Sequence, residues 1–236
     1  VDDCSSDGSA SIAKRYTDRV VTEPGYLGAL RYRAAEMATT SWIVFVDSDV
    51  YLCKQWWKKI SEVFLNDPKV GMVIGLCDFP CSLSIYKEYL YYKWGVYGAT
   101  SFSNTAVRRD VILGCKELLD RVHAGEDWTV KQRAISLGLK AVTVKEKLAY
   151  HDKDHFKGSF KAEVRWGQSY RLKFGLRRAL SLGYQSFFKY PMVEWLMFSR
   201  TKRLSISLLV FFILLGLCGF LGVMSGARSR YYPNIR

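Results

Sequence analysis

Two stretches of the chain are almost purely apolar, WIVFV at 42–46 and VGMVIGL at 70–76, and each runs into aspartate shortly afterwards. Continuous β-branched and aromatic runs of this length predict strands buried on both faces, at 42–49 and 70–79. Between them, 54–68 has the helical period: it places Trp56, Ile60, Val63 and Phe64 on one face and stops before Pro68. Upstream, 28–40 is rich in good helix formers after a Pro-Gly turn, and 18–24 reads as a short strand. Residues 1–16 read as a strand end, a polar turn and a helix start. Strand and helix thus alternate to about residue 80, the signature of an α/β fold whose mostly parallel sheet is flanked by helices. Ligands of such sheets bind beyond the carboxyl ends of the strands. Asp2-Asp3 and Asp47-x-Asp49 both fall at such ends, which would bring them into one cleft.

Further along, 110–122 and 127–139 read as helices, the second ending at Gly138, and 140–151 as a strand ending at His151. Residues 82–104 are crowded with Tyr and Trp; they suit a sugar site, a lipid surface or plain core packing equally. Residues 158–200 read as amphipathic, aromatic, basic helices suited to a membrane surface.

The segment 204–227 has no charged residue. As a helix it would reach about 36 Å, enough to cross a hydrocarbon layer of about 30 Å. It is expected to be a transmembrane helix, preceded by a basic interfacial segment at 153–203 and followed by a short basic tail at 228–236. The charge supports this placement. The chain carries a net +13, and 153–203 alone holds twelve Lys and Arg against three acidic residues. Positive charge gathered beside a membrane span points to anionic lipid and argues against nucleic acid as partner. Basic residues flank both ends of the span, so they do not orient it. The six cysteines show no repeated spacing, and Cys77-x3-Cys81 lacks a second pair for zinc. That usage fits a reducing compartment.

Asp47-x-Asp49 after an apolar strand serves at least two chemistries. Phosphatases of the haloacid-dehalogenase type use it as a phospho-aspartate site, but continue with Thr or Val where this chain has Tyr51. The second chemistry is sugar transfer. VDDCSSDGS at 1–9, FVDSD at 45–49 and AGEDWTVKQRAISLG at 124–138 stand in order, and together they resemble three motifs of the inverting family 2 nucleotide-sugar glycosyltransferases, which have the GT-A (Rossmann-like) fold. Gly28 and Arg31 match a further segment, which departs at Tyr32 where the family usually has Asn. The family opens with a strand and a P-x-[YF]-N loop before V-D-D; these are absent here, so the resemblance implies an N-terminal truncation, with the first strand of a catalytic domain at 1–152 missing.

The resemblance implies a site. Its donor would be a UDP- or GDP-sugar from the cytoplasmic pool, which places the catalytic domain on the cytoplasmic face of a membrane. A divalent cation, Mn²⁺ or Mg²⁺, would stabilise the leaving diphosphate. Hard cations take oxygen ligands, and one or two carboxylates plus phosphate oxygens suffice. Asp49 would be the direct ligand, with Asp47 at the ribose or metal-bound water and His151 as a further ligand. Asp2 and Asp3 would contact the nucleoside, and Arg31 would pair with the phosphates or support Asp2. Asp127 would be the general base that takes the acceptor hydroxyl's proton. Glu126, Arg165 and Trp166 are candidates for the acceptor side, the last two echoing the R-W of processive synthases, although Ala162 stands where those have Gln. On its own, Glu126-Asp127 would merely favour a helix N-terminus. The acceptor would be a lipid-linked or glycan hydroxyl. The alternatives are a polyprenyl-phosphate acceptor, as in relatives of dolichol-phosphate-mannose synthase, or a degenerate relative without catalysis.

Overall fold

A computed structural model of the chain describes residues 1–97, 99, 101–120, 124–152, 155–185, 189, 192, 193, 195, 196, 198 and 206–225. The expected tail at 228–236, and the basic residues Arg200, Lys202 and Arg203 before the apolar segment, lie outside the described residues.

Five strands form one sheet: β1 (Trp42–Val46), β2 (Val50–Leu52), β3 (Val70–Asp78), β4 (Asn104–Arg108) and β5 (Lys140–His151). Their order across the sheet is β1-β4-β3-β5-β2. The α/β class holds, but the sheet is mixed. β1 and β3 each pair antiparallel with β4, β2 pairs antiparallel with β5, and β3 and β5 are parallel. The alternation pattern missed β4, whose residues sit in a polar, serine-rich stretch and are buried nevertheless. The 18–24 stretch contributes only an isolated bridge between Thr22 and Asp2.

The pairings give β1, β3 and β5 one direction. Their carboxyl ends, at Asp47, Asp78 and His151, therefore lie on one side of the sheet, together with the amino end of β4. Because β1 and β2 occupy opposite edges, Asp47-Ser48-Asp49 carry the chain across that end. β1 is not buried on both faces as its composition suggested: as an edge strand it buries only Phe45. β3, in the middle, is buried through most of its length.

The described helices follow in chain order. α1 (Ser9–Ala13), α2 (Leu27–Met37) and α3 (Trp56–Asn66) come first. Trp56 and Ile60 of α3 are buried against Val70, Val73, Ala106 and Leu148, with Val63 and Phe64 packed beside them, as the helical period predicted. The aromatic segment forms α4 (Ser84–Tyr97). The 110–122 stretch breaks at Gly114 into α5 (Arg109–Leu113) and α6 (Lys116–Leu119). α7 (Glu126–Ser136) follows, with Gly138 at φ +73° ending it in the left-handed conformation that glycine favours.

The basic segment forms α8 (His155–Tyr184), kinked at Gly175. The last described helix, α9 (Ile206–Ser225), has a mean hydropathy of 2.7 and is long and apolar enough to cross a membrane. Between α4 and α9 lies an aromatic cluster: Tyr86 and Tyr89 stand 4.5 and 4.7 Å from Phe211 and Phe212, ring to ring. Of the three roles open to the 82–104 aromatics, packing against α9 accounts for these two.

Candidate active site

Arg31 organises the end of the sheet. It sits in the second turn of α2, 12% exposed, and donates to two carboxylates from distant parts of the chain. One guanidinium nitrogen reaches Asp47 Oδ1 at 2.7 Å, and the other pairs with Glu126 Oε1. Its charge also lies 5.1 Å from the centre of the Phe102 ring, which itself stacks on Phe45. A planar, permanently charged fork on an aromatic face suits a fixed hub of this kind. The expectation that Arg31 would support Asp2 is not met. Asp2 accepts from the Ser5 backbone at 3.0 Å, which with the Ser5 hydroxyl holds its carboxyl below the usual range. Asp3 accepts from the Gly25 N–H, just ahead of α2.

Asp49 stands beside His151, Oδ1 to Nε2 at 3.5 Å, because β2 and β5 pair Val50 with His151. Both side chains are largely buried. Asp47 and His151 share a pocket of about 170 Å³ with Cys77, Trp94, Ser101 and Ser103. A polar chain closes its floor: the Trp56 indole N–H donates to Asn104 Oδ1 at 3.1 Å, and the Asn104 amide donates to Cys77 Sγ at 2.9 Å. Gly75 is needed here, since a Cβ on it would lie 1.8 Å from Asn104 Oδ1. Burial pushes the Cys77 thiol above its ordinary pKa.

Glu126 and Asp127 open α7. Gly125 precedes them at φ +80°, and the Trp166 ring lies so close that a Cβ on Gly125 would meet it at 2.4 Å. Glycine is thus required there twice over, by backbone angle and by contact. The structure brings Trp166 against this turn, while Arg165 is exposed. Ser169, which no motif singled out, accepts from the Ala124 N–H at 3.1 Å. Asp127 Oδ1 accepts from the Trp128 N–H at 2.6 Å. Burial, and then the neighbouring Asp127 charge, push Glu126 up to about 7; burial also raises Asp127, opposed by the Trp128 N–H and by Arg31.

For a metal, the protein's own donors here are few. Among the described residues no group of three or more His, Cys, Asp and Glu side chains could hold an ion. Asp47 is engaged by Arg31, leaving the Asp49 carboxylate and the His151 imidazole as neighbours. Such a pair fits an ion that takes the rest of its shell from phosphate oxygens and water.

The sequence model of "Glycosyl transferase family 2" matches residues 1–100. That stretch of the chain is thus similar to a family 2 glycosyltransferase domain. The matched segment contains Arg31, Asp47 and Asp49 and ends before Glu126, Asp127 and His151. No curated protein matches the chain. Among solved structures, the chain is similar to S. aureus TarS 1–349 in complex with UDP-GlcNAc, at 16% identity and a TM-score of 0.47 over 95% of this chain and 80% of that one. The UDP complex of the same TarS fragment gives a TM-score of 0.45 at equal identity and coverage.

Proposed function

We propose that the protein is a membrane-attached, inverting transferase that moves a sugar from a UDP- or GDP-sugar to a hydroxyl of a lipid-linked or glycan acceptor. The observation that carries this reading is the Arg31 bridge. It ties Asp47 of FVDSD to Glu126 of AGED, 95 positions from Arg31, beside the Asp49–His151 pair.

The chain's own residues divide the work. Asp49 and His151 would hold Mn²⁺ or Mg²⁺, which when bound offsets charge on the departing diphosphate. Arg31 fixes Asp47 and Glu126 in place at the end of the sheet. Asp127, in the first turn of α7, takes the acceptor hydroxyl's proton as the acceptor oxygen bonds to the anomeric carbon and the bond to the diphosphate breaks. Attack from the face opposite the leaving group inverts that carbon. Asp127 suits the task because burial raises its proton affinity above that of a free aspartate. With α9 in a bilayer and its donor drawn from the cytoplasm, the domain faces the cytoplasmic side.

A thermal-shift panel of UDP-, GDP- and dTDP-sugars with and without Mn²⁺ tests the donor. Metal-dependent stabilisation by one donor class is expected, and none with any donor would sink the reading. Asp127→Asn should lower turnover about a thousandfold without weakening donor binding. Retained turnover would point instead to an acceptor phosphate that needs no base.

A further inference from the structure

One stretch of α8 touches both the carboxylate-bearing turn and the apolar helix. On one side Trp166 covers Gly125 and Ser169, 1% exposed, accepts from Ala124 N–H. On the other side Gly167 meets the backbone of α9. A Cβ on Gly167 would stand 2.0 Å from the Gly219 carbonyl oxygen and 2.7 Å from the Val223 nitrogen. The contact is reciprocal, because a Cβ on Gly222 would stand 2.1 Å from the Val164 carbonyl oxygen. Further along, Arg171 donates to the carbonyls of Val223 and Met224 at 3.2 and 2.6 Å, gripping the last turns of α9.

We propose that Ser169 and Trp166 are positioning residues for Glu126 and Asp127, and that α8 makes this positioning depend on how α9 is seated. Backbone against backbone at Gly167 and Gly222 leaves no flexible side chain to absorb a displacement. A shift of α9 is therefore passed to residues 164–167 and on to Trp166 and Ser169. The turn they hold needs holding: Gly125 is the residue with the widest choice of backbone conformations. The apolar face of α9 turned away from α8, including Ile206, Ile213, Leu217 and Leu221, is exposed and open to the bilayer that would seat it. The catalytic consequence rests on Asp127 being the base, whereas the mechanical link does not.

Amide hydrogen exchange on the full chain in phosphatidylcholine–phosphatidylglycerol vesicles tests the link directly. Ser169→Ala should speed exchange over 124–131 about fivefold, with β3 unchanged, and Ser169→Thr, which keeps the hydroxyl, should restore protection. Gly222→Leu, on the far side of α8, should speed the same amides about tenfold. Release of nucleoside diphosphate from UDP-GlcNAc, UDP-glucose and GDP-mannose should fall in kcat with KM unchanged for whichever is turned over. Unchanged protection over 124–131 in both variants overturns the proposal, as does faster exchange with unaltered kcat in a protein whose turnover Asp127→Asn abolishes. Should Gly222→Leu also loosen β3, Ser169→Ala and the milder Gly222→Ala decide. Asp127→Asn run in parallel separates the readings: turnover that survives it removes the base assignment and leaves the exchange result standing.

Discussion

At the amino end of β1, Thr39, Thr40, Ser41 and Trp42 border a cavity of about 430 Å³ together with Arg108, Arg109 and Asp110. At the carboxyl end of the same strand, Asp47 borders one of about 170 Å³. The larger cavity has the plainer chemistry. Its arginines are spent on structure: Arg108 pairs with Asp110, and Arg109 donates to the Ala35 and Glu36 carbonyls at the end of α2. The smaller one gathers ionisable groups from β1, β3 and β5, with Arg31 and Glu126 beside it. Volume records how loops meet, whereas side chains converging from several elements record a site.

Replacing the central cation at each end should separate the two most sharply. Arg31→Met leaves Glu126, 4% exposed, without its partner, and frees Asp47 as well. Removing one member of a buried pair costs about 3 kcal/mol. Chemical denaturation should show a loss of that size, and turnover should fall about a hundredfold.

The two ends should also answer pH in opposite senses. Glu126 and Asp127 have folded proton affinities above their unfolded ones, Glu126 reaching about 7. The folded state then binds more protons than the unfolded between the ordinary carboxylate range and about pH 7. Their contribution to stability is full below that range and is lost as pH rises through it. Asp110 is held below its ordinary value, first by Arg108, so its contribution is present above that value and lost as pH falls. With Asp127 as the proposed base, the buried pair should set an acid limb above that of a free aspartate. Because the pair titrates together, Glu126→Gln should move the limb lower by removing a group coupled to Asp127. A limb that stays in place detaches Glu126 from the base.

Much of this arrangement was legible in the sequence, and the reason is locality. Trp56, Ile60, Val63 and Phe64 declare one helix face within three turns, and FVDSD and GED each lie at the end of one element. What stayed hidden depends on partners far along the chain. WIVFV has the composition of a central strand, yet its place at the sheet edge is set by β4, a strand that serine and asparagine disguised. Arg31 looked like a phosphate ligand or a support for Asp2; its engagement with Asp47 and Glu126 exists only once α2, β1 and α7 meet. Gly167, Ser169 and Gly222 carried no signal beyond small size, since their role lies in what approaches them.

The polar floor of the small pocket gives a finer test. Gly75→Ala drives a methyl group into Asn104 Oδ1 and disturbs its bond from Trp56. Overpacking of this kind costs about 1–3 kcal/mol. The Tm should drop accordingly, with donor binding weakened because Asn104, Cys77 and Ser103 shift together. A variant as stable as the parent would mean the floor is soft and does not shape the pocket.

The smallest effect belongs to the larger cavity. Arg108 pairs with Asp110 at a partly exposed position, with Arg108 Nε reaching Asp110 Oδ1 at 3.1 Å. Exposed pairs of this sort contribute about 0–1 kcal/mol, since water and salt screen them. Arg108→Met should therefore change stability by less than about 1 kcal/mol and leave turnover within about twofold. If turnover fell as far as in Arg31→Met, the cavity at the amino end would have to be part of the reaction, and the contrast between the two ends of β1 would collapse. If only stability moved, by the small amount expected, a cavity more than twice the size would be confirmed as a gap between loops, and the chemistry would stay where β1, β3 and β5 end together.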